Sequence, residues 1–295
     1  MLVKLVLDNM PQTIIDILKK GNQELFHSSL IAWLLNPKGE HGLGDVFLNH
    51  FAEKLNEKGY SELKNNIKNS SKFLVLTETK HTGGRYDIEI VTDDSNILIE
   101  NKTKTIGGLS QLNKYKASFK IALGFCEVSY SEDATTKYPF ITYKDIMDIL
   151  SKIPLPEKND FNILVDHYRR FLTRELKILD LICECYANGD IEKHTEIKKL
   201  ISESGSYTKN DCRFLNLYLL EKFRLTHIKN NPNWQNSIWE ANKNMQSGVW
   251  LANPQQMTNK FSFFPEIKKL CKQESGNLWF HIELHEGIMT ENINR

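Results

Sequence analysis

Two short runs of alternating polar and apolar residues constrain this chain more than any other feature. Tyr86 to Thr92 alternates, Thr92 to Asn96 supplies turn chemistry, and Asn96 to Lys102 alternates again. The segment therefore reads as a hairpin within a sheet. Ile97, Leu98 and Ile99 stand in succession on the second run, which marks it as a central strand. Side chains alternate across a strand, so Glu100 and Lys102 share a face, and the hairpin sets Asp87 on the neighbouring strand. Two carboxylates on adjacent strands can hold a hard divalent cation through oxygen. A lysine two residues beyond one of them can orient a water and offset charge on a phosphate. Gathering two acids and a lysine in an interior is costly without a cation or strong pairing. As bare spacing, the same three residues also fit a solvated polar face.

The chain around the hairpin reads as an α/β core. Leu25, Leu30, Ile31, Trp33, Leu34 and Leu35 form a wide apolar helical face that ends at Asn36-Pro37 with Gly39. A second helix is expected over 44–58. Phe73 to Thr77 reads as a strand and Gly83-Gly84 as a turn. Gly107-Gly108 breaks the pattern before a helix over 109–119. Strands at 121–125 and 140–143 and a helix over 144–152 complete the pattern near Pro154–Pro156. We take residues 1–156 as this core and 157–295 as a helical and small-β C-terminal region with a binding or regulatory role. In the latter, helices are expected over 161–186, 190–202 and 211–227, the last capped by Asn210 or Asp211. Beyond Asn231, Trp234, Trp239, Trp250 and Trp279 are interspersed with short β-like runs, of which 278–284 is the clearest. Few strands remain to pair with it, so either earlier segments close that sheet or the chain is a fragment.

Composition bounds the partners. Lys and Arg number 38 against 37 Asp and Glu, so no global field draws the chain to nucleic acid or membrane, and any such contact needs a local patch. The longest clear apolar run, Leu30 to Leu35, is far short of the roughly 18 residues of a membrane span. The first nine residues lack the features of a secretory signal, and five cysteines, an odd number, read as reduced thiols in a cytoplasmic protein. Cys183 and Cys185 do not have zinc-pair spacing.

Several blocks in order carry a resemblance. They read Glu24-Leu25-Phe26-His27-Ser28, Ala32-Trp33-Leu34-Leu35-Asn36-Pro37, and His41-Gly42-Leu43-Gly44-Asp45-Val46-Phe47-Leu48. The strands Gly84-Arg85-Tyr86-Asp87-Ile88 and Ile97-Leu98-Ile99-Glu100-Asn101-Lys102 follow, then Gln111-Leu112-Asn113-Lys114-Tyr115. Over roughly residues 20 to 175 the chain resembles the PD-(D/E)XK nuclease superfamily, in particular a bacterial group with a RecB-like site and its Q-x3-Y element. The resemblance implies a restriction-endonuclease-like fold (helix, mixed β-sheet, helix, strand, helix). It also implies a metal-dependent deoxyribonuclease using Mg²⁺, with Mn²⁺ able to substitute, and DNA as partner. Asp87, Glu100, the backbone carbonyl of Asn101 and, from the first core helix, Glu24 would be the metal ligands. Lys102 would be the catalytic lysine, and Gln111 and Tyr115, one helical turn apart, would hold that lysine or the DNA backbone.

Arg85 reads as an ion-pair partner of Asp87 or a phosphate contact. Lys104 shares the strand face of Lys102, and with Lys114, Lys116 and Lys120 it makes a local basic surface suited to phosphates. Such lysines position a strand without reading bases, so little base specificity is expected. Glu24, His27 and Ser28 share one helix face, as a site or as a capping cluster. His41 reads as a residue that positions the site or, more simply, closes a turn, Asp45 equally as a helix-N-terminal acid, and Glu78 as an exposed edge residue that could also approach a metal. A role against foreign DNA follows by analogy only. An RNase, and a nuclease-like fold used for binding or assembly, are the alternatives. Endonuclease action, a homodimer and an activating partner protein stay open.

Overall fold

The computed structural model describes residues 11–187, apart from 22, 69, 104–106, 131 and 155–159, together with the backbone of a β-hairpin at Gln235–Trp239 and Gly248–Ala252. The helices expected over 190–202 and 211–227, the strand at 278–284, Trp234, Trp279 and Lys104 lie outside the described residues.

The helices of the first 70 residues are α1 (Ile14–Ile17), α2 (Glu24–Leu35), α3 (Val46–Glu57) and α4 (Ser61–Lys68). Strands β1 (Leu74–His81), β2 (Gly84–Val91) and β3 (Asn96–Lys102) follow, then α5 (Leu109–Lys114), β4 (Phe119–Gly124), α6 (Glu132–Lys137), β5 (Phe140–Thr142), α7 (Tyr143–Lys152) and the long α8 (Asp160–Ala187). The strands form one sheet in the order β1-β2-β3-β4-β5. β1, β2 and β3 are antiparallel neighbours, whereas β4 and β5 join in parallel. This mixed five-stranded sheet with flanking helices is the expected α/β arrangement.

β3 is central, and every residue from Ile97 to Lys102 is buried. Its two faces differ. Ile97 and Ile99, with Ile88, Ile90, Ile121, Leu123 and Ile141, belong to the main core with α2, α3, α7 and α8. Leu98 faces a second cluster of Tyr86, Leu112, Tyr115, Ala122, Tyr130 and Ala134. Each fully buried aliphatic side chain of this kind contributes roughly 1.5–3 kcal/mol. α7 starts sharply because Thr142 and Asp145 cap each other: the Thr142 N–H donates to Asp145 Oδ2 at 2.8 Å and the Asp145 N–H to Thr142 Oγ1 at 3.3 Å.

Three local expectations are corrected. Leu25 is 56% exposed, because the buried face of α2 is carried by His27, Ser28, Leu30, Ile31, Leu34 and Leu35. The helix expected over 109–119 stops at Lys114, where Tyr115 turns extended and frees the chain to begin β4 at Phe119. α4 and α6 were not expected from the sequence; both are short and carry few apolar residues.

The chain beyond the pattern break at Pro154–Pro156 packs against the same core. Val165, Tyr168, Phe171 and Leu172 of α8 are buried with the sheet residues. Residues on both sides of position 156 thus share one hydrophobic core. Arg174 of α8 forms a buried fork on Asp16 of α1, donating from Nη1 to Oδ2 at 2.7 Å and from Nη2 to Oδ1, and it also pairs with Glu175. Removing one partner of a buried pair leaves uncompensated charge and costs about 3–5 kcal/mol. Among the described residues no helix is long and apolar enough to cross a membrane.

His27 ties α2 to both neighbours: its Nε2 lies 2.7 Å from the Gly21 carbonyl and its Nδ1 3.1 Å from the Tyr168 hydroxyl. Burial lowers its pKa to about 4, below the roughly 6.5 of an unfolded histidine. Above pH 6.5 the ring is neutral in both states. As pH falls below that, the unfolded chain takes up a proton that the fold refuses, so stability is lost toward pH 4. Urea unfolding should show about 1.5 kcal/mol lost between pH 6.5 and 5 from this residue, a loss absent from His27→Gln. Equal pH slopes in the two proteins would contradict the assignment.

Candidate active site

The site begins where two strands stop pairing. The β2–β3 ladder runs from Val91↔Asn96 to Ile88↔Ile99 and goes no further. One residue beyond it, Asp87 substitutes its side chain for the missing backbone partner: the Asn101 N–H donates to Asp87 Oδ2 at 2.8 Å. This satisfies a buried backbone donor while splaying the strands, and it sets the Asp87 carboxylate beside Glu100.

Glu100 is 2% exposed. Its Oε1 accepts from Lys102 Nζ at 2.7 Å and from Gln111 Nε2 at 2.5 Å. Its Oε2 is equally buried and has no hydrogen-bond partner among the described residues, a costly state for a carboxylate oxygen. Lys102 Nζ also donates to the Asn101 carbonyl at 3.3 Å. Gln111 bridges onward to the Tyr115 hydroxyl at 3.1 Å. The Q-x3-Y spacing thus forms a clamp on one oxygen of Glu100 and leaves the other open.

The charges are unbalanced. Burial, and then the neighbouring Glu100, push the Asp87 carboxyl up to about 7. Burial opposes the charge of Lys102, but the carboxylates of Glu100, Glu24 and Asp87 outweigh it and raise that pKa. Three acids around one ammonium leave two formal negative charges uncompensated when all are ionised. Burial and then Glu100 raise the Tyr115 phenol to about 12, so it stays a neutral partner for Gln111.

Asn101 turns its side chain to the opposite face. Its Nδ2 donates to Ser28 Oγ at 3.0 Å and to the Glu24 carbonyl at 3.3 Å, and its Oδ1 accepts from the Tyr143 hydroxyl at 3.0 Å. One amide thereby locks the motif strand to α2 and α7. Glu24 reaches the strand end directly, its Oε1 accepting from the Thr103 N–H at 3.2 Å. On the other side Tyr130 donates to the Glu100 carbonyl at 2.7 Å. Tyr130 and Tyr143 escaped the sequence reading because each lies about 30 to 40 residues from its partner, with no local pattern linking them.

The remaining candidates separate. Arg85 does not pair with Asp87: its Nε lies 2.7 Å from Glu78 Oε2, an exposed guanidinium on a half-buried acid. Glu78 itself holds a positive φ of 57°, which is uncommon outside glycine, at the register position across β1 from Asp87. Lys114 is exposed at the end of α5. His27 serves α8 as above. His41 is fully buried, its Nε2 on the Asn36 carbonyl at 3.0 Å and its Nδ1 accepting from the Leu43 N–H at 3.0 Å. It closes the α2–α3 connection, as the turn reading expected. Asp45 is the exposed N-cap residue of α3.

A profile of the PD-(D/E)XK nuclease superfamily matches residues 12–169, more than half of the chain, and the protein belongs to that superfamily. Its members are typically phosphodiesterase nucleases that use divalent metal ions, and its fold is the restriction-endonuclease-like one seen here. No curated protein matches the chain. Among solved structures, the crystal structure of a protein of unknown function, AF1548, matches at 13% identity and a TM-score of 0.22, over 61% of this chain and 97% of that one.

The donor set fits a hard divalent cation. Among the described residues no three His, Cys, Asp or Glu side chains converge as ligands. Asp87, the open Glu100 oxygen and the Asn101 carbonyl would offer an all-oxygen partial shell, and such ions commonly keep several waters beside one or two carboxylates. Adding Mg²⁺ should therefore raise the unfolding midpoint, by about 2.7 kcal/mol of stability at 100 times Kd. Glu100→Gln should lose that gain, and an equal gain in the variant would refute the placement.

Proposed function

We propose that the protein is a Mg²⁺-dependent deoxyribonuclease, with Mn²⁺ able to substitute, that hydrolyses DNA phosphodiester bonds with little base specificity. The observation that carries this reading is the buried Glu100 Oε2 beside Asp87, without a hydrogen-bond partner among the described residues, its companion oxygen clamped by Lys102 and Gln111. Asp87, Glu100 and the Asn101 carbonyl would hold the ion, with Glu24 at the rim. When bound, it supplies Lewis-acid charge at the scissile phosphate and makes a bound water more acidic.

The protein's own groups do the rest. Lys102 keeps its ammonium charged against burial through three carboxylates. From 2.7 Å off Glu100 it can donate to the attacking water or to a phosphate oxygen as charge builds there. Gln111 restrains the Glu100 carboxylate so that Oε2 stays open. Asn101 and Tyr130 fix the backbone on either side of Glu100, and a displacement of about 1 Å at such a site can cost roughly 100-fold in rate. Lysines that contact phosphates rather than base edges position a strand without reading it, which supports low sequence specificity. Defence against foreign DNA is the biological setting we assign by analogy with the class.

Cleavage of linear DNA, circular DNA and RNA with Mg²⁺ or Mn²⁺ tests the reading. Wild type should cut DNA only with metal. Lys102→Ala should lose about 100-fold or more in kcat, the size seen when one transition-state donor is removed, and Asp87→Ala should lose metal-dependent cutting. Equal trace activity in all three proteins would leave a binding module, and cutting confined to RNA would replace the substrate assignment.

A further inference from the structure

Resting on the nuclease reading, we infer that the aromatic stack at the β1–β2 hairpin, His81 on Tyr86 on Tyr115, is a strut that positions the Gln111 clamp on Glu100. Gln111 works through a single amide nitrogen, which donates to Glu100 Oε1 at 2.5 Å and to the Tyr115 hydroxyl at 3.1 Å. Such a nitrogen carries two protons, one for each acceptor. The position of the Tyr115 oxygen therefore sets how the amide meets the carboxylate. Tyr115 itself has left the helix. It is the C-cap of α5, with extended backbone, so helical geometry no longer fixes where its ring lies.

The hairpin supplies what the helix end does not. The Tyr115 ring meets the buried Tyr86 ring edge-on, at 5.2 Å between centroids. The following residue is pinned to the same side chain, the Lys116 N–H donating to the Tyr86 hydroxyl at 3.1 Å. Turn backbone closes another side. Gly83 and Gly84 hold φ of 112° and 147°, and a Cβ on Gly84 would lie 2.8 Å from Tyr115 Cε1. Tyr86 is braced in turn by the exposed His81, stacked on it at 4.1 Å with the ring planes 20° apart. Glu89 holds that imidazole in place, the His81 Nε2 lying 2.8 Å from Glu89 Oε2, while Asn96 Nδ2 donates to the other oxygen at 3.3 Å. Glu89 is buried, and a buried ionic group adds little stability over an apolar residue of the same size. What it does add here is a fixed plane for the outermost ring of the stack. Through the three rings, the hairpin tip bears on the oxygen of Glu100 that the clamp takes, and so on the one it leaves open.

The test compares the full-length chain with Gly84→Ala, His81→Gln and His81→Phe, by calorimetric titration with Mn²⁺ alone and by steady-state cleavage of DNA. Gly84→Ala pushes a methyl group into the Tyr115 ring. His81→Gln keeps a donor for Glu89 and removes the ring, whereas His81→Phe keeps a ring and removes the donor. Residues that orient metal ligands typically change metal affinity or activity by about 10- to 100-fold when replaced. Gly84→Ala and His81→Gln should therefore weaken Mn²⁺ binding and lower kcat by about tenfold, with KM for DNA unchanged. His81→Phe should lose thermal stability yet bind Mn²⁺ as wild type does. Should Gly84→Ala fail to fold, the two substitutions at the exposed His81 decide alone. Wild-type Mn²⁺ affinity in His81→Gln, an equal loss in His81→Phe, or a raised KM at unchanged kcat overturns the strut, while cutting by wild type leaves the nuclease reading standing. No Mn²⁺ binding and no cutting by wild type overturns both.

Discussion

The hydrogen bond from the Asn101 N–H to Asp87 is the interaction on which the site depends. It allows two antiparallel strands to part inside a sheet without orphaning a backbone donor. It also brings one carboxylate against another that is 2% exposed. The surroundings follow from that proximity. Lys102 and Gln111 take one oxygen of Glu100, Tyr115 steadies Gln111, and the second oxygen remains open. Burial, and then the neighbouring Glu100, push the Asp87 carboxyl up to about 7.

The scaffold around the pair is stiff where the chemistry needs it. Asn101 joins the motif strand to α2 and α7 through three hydrogen bonds, two of them buried, and Tyr130 holds Glu100 from the opposite face. The reach of α8 into this core, through Tyr168 on His27 and Arg174 on Asp16, makes the helix after residue 156 part of what supports the site.

Much of this was legible in the chain itself, and for physical reasons. Strand alternation has a period of two, so the shared face of Glu100 and Lys102 could be read directly. The hairpin between 86 and 102 is local, and the pairing of β2 with β3 came with it. Gln111 and Tyr115 stand one turn apart, so their contact could be read, but the expected partner was Lys102 or the DNA backbone and Gln111 bonds Glu100 instead. What could not be read involves distant partners or unusual backbone. The Asp16–Arg174 and His27–Tyr168 contacts span 158 and 141 residues, and periodicity carries no information on such pairs. Arg85 was read as a partner of its sequence neighbour Asp87 or as a phosphate contact, and its ion pair is with Glu78 on the adjacent strand instead. Leu25 shows the limit of counting apolar residues, since composition alone does not say which side of a rich helix faces water.

Anomalous diffraction from crystals grown with Mn²⁺ tests the central claim most directly. The account expects one strong peak within coordination distance of Asp87, the open Glu100 oxygen and the Asn101 carbonyl, about 2.0–2.6 Å from each oxygen as hard cations require. No peak there at saturating Mn²⁺, or a peak only elsewhere on the protein, would contradict it.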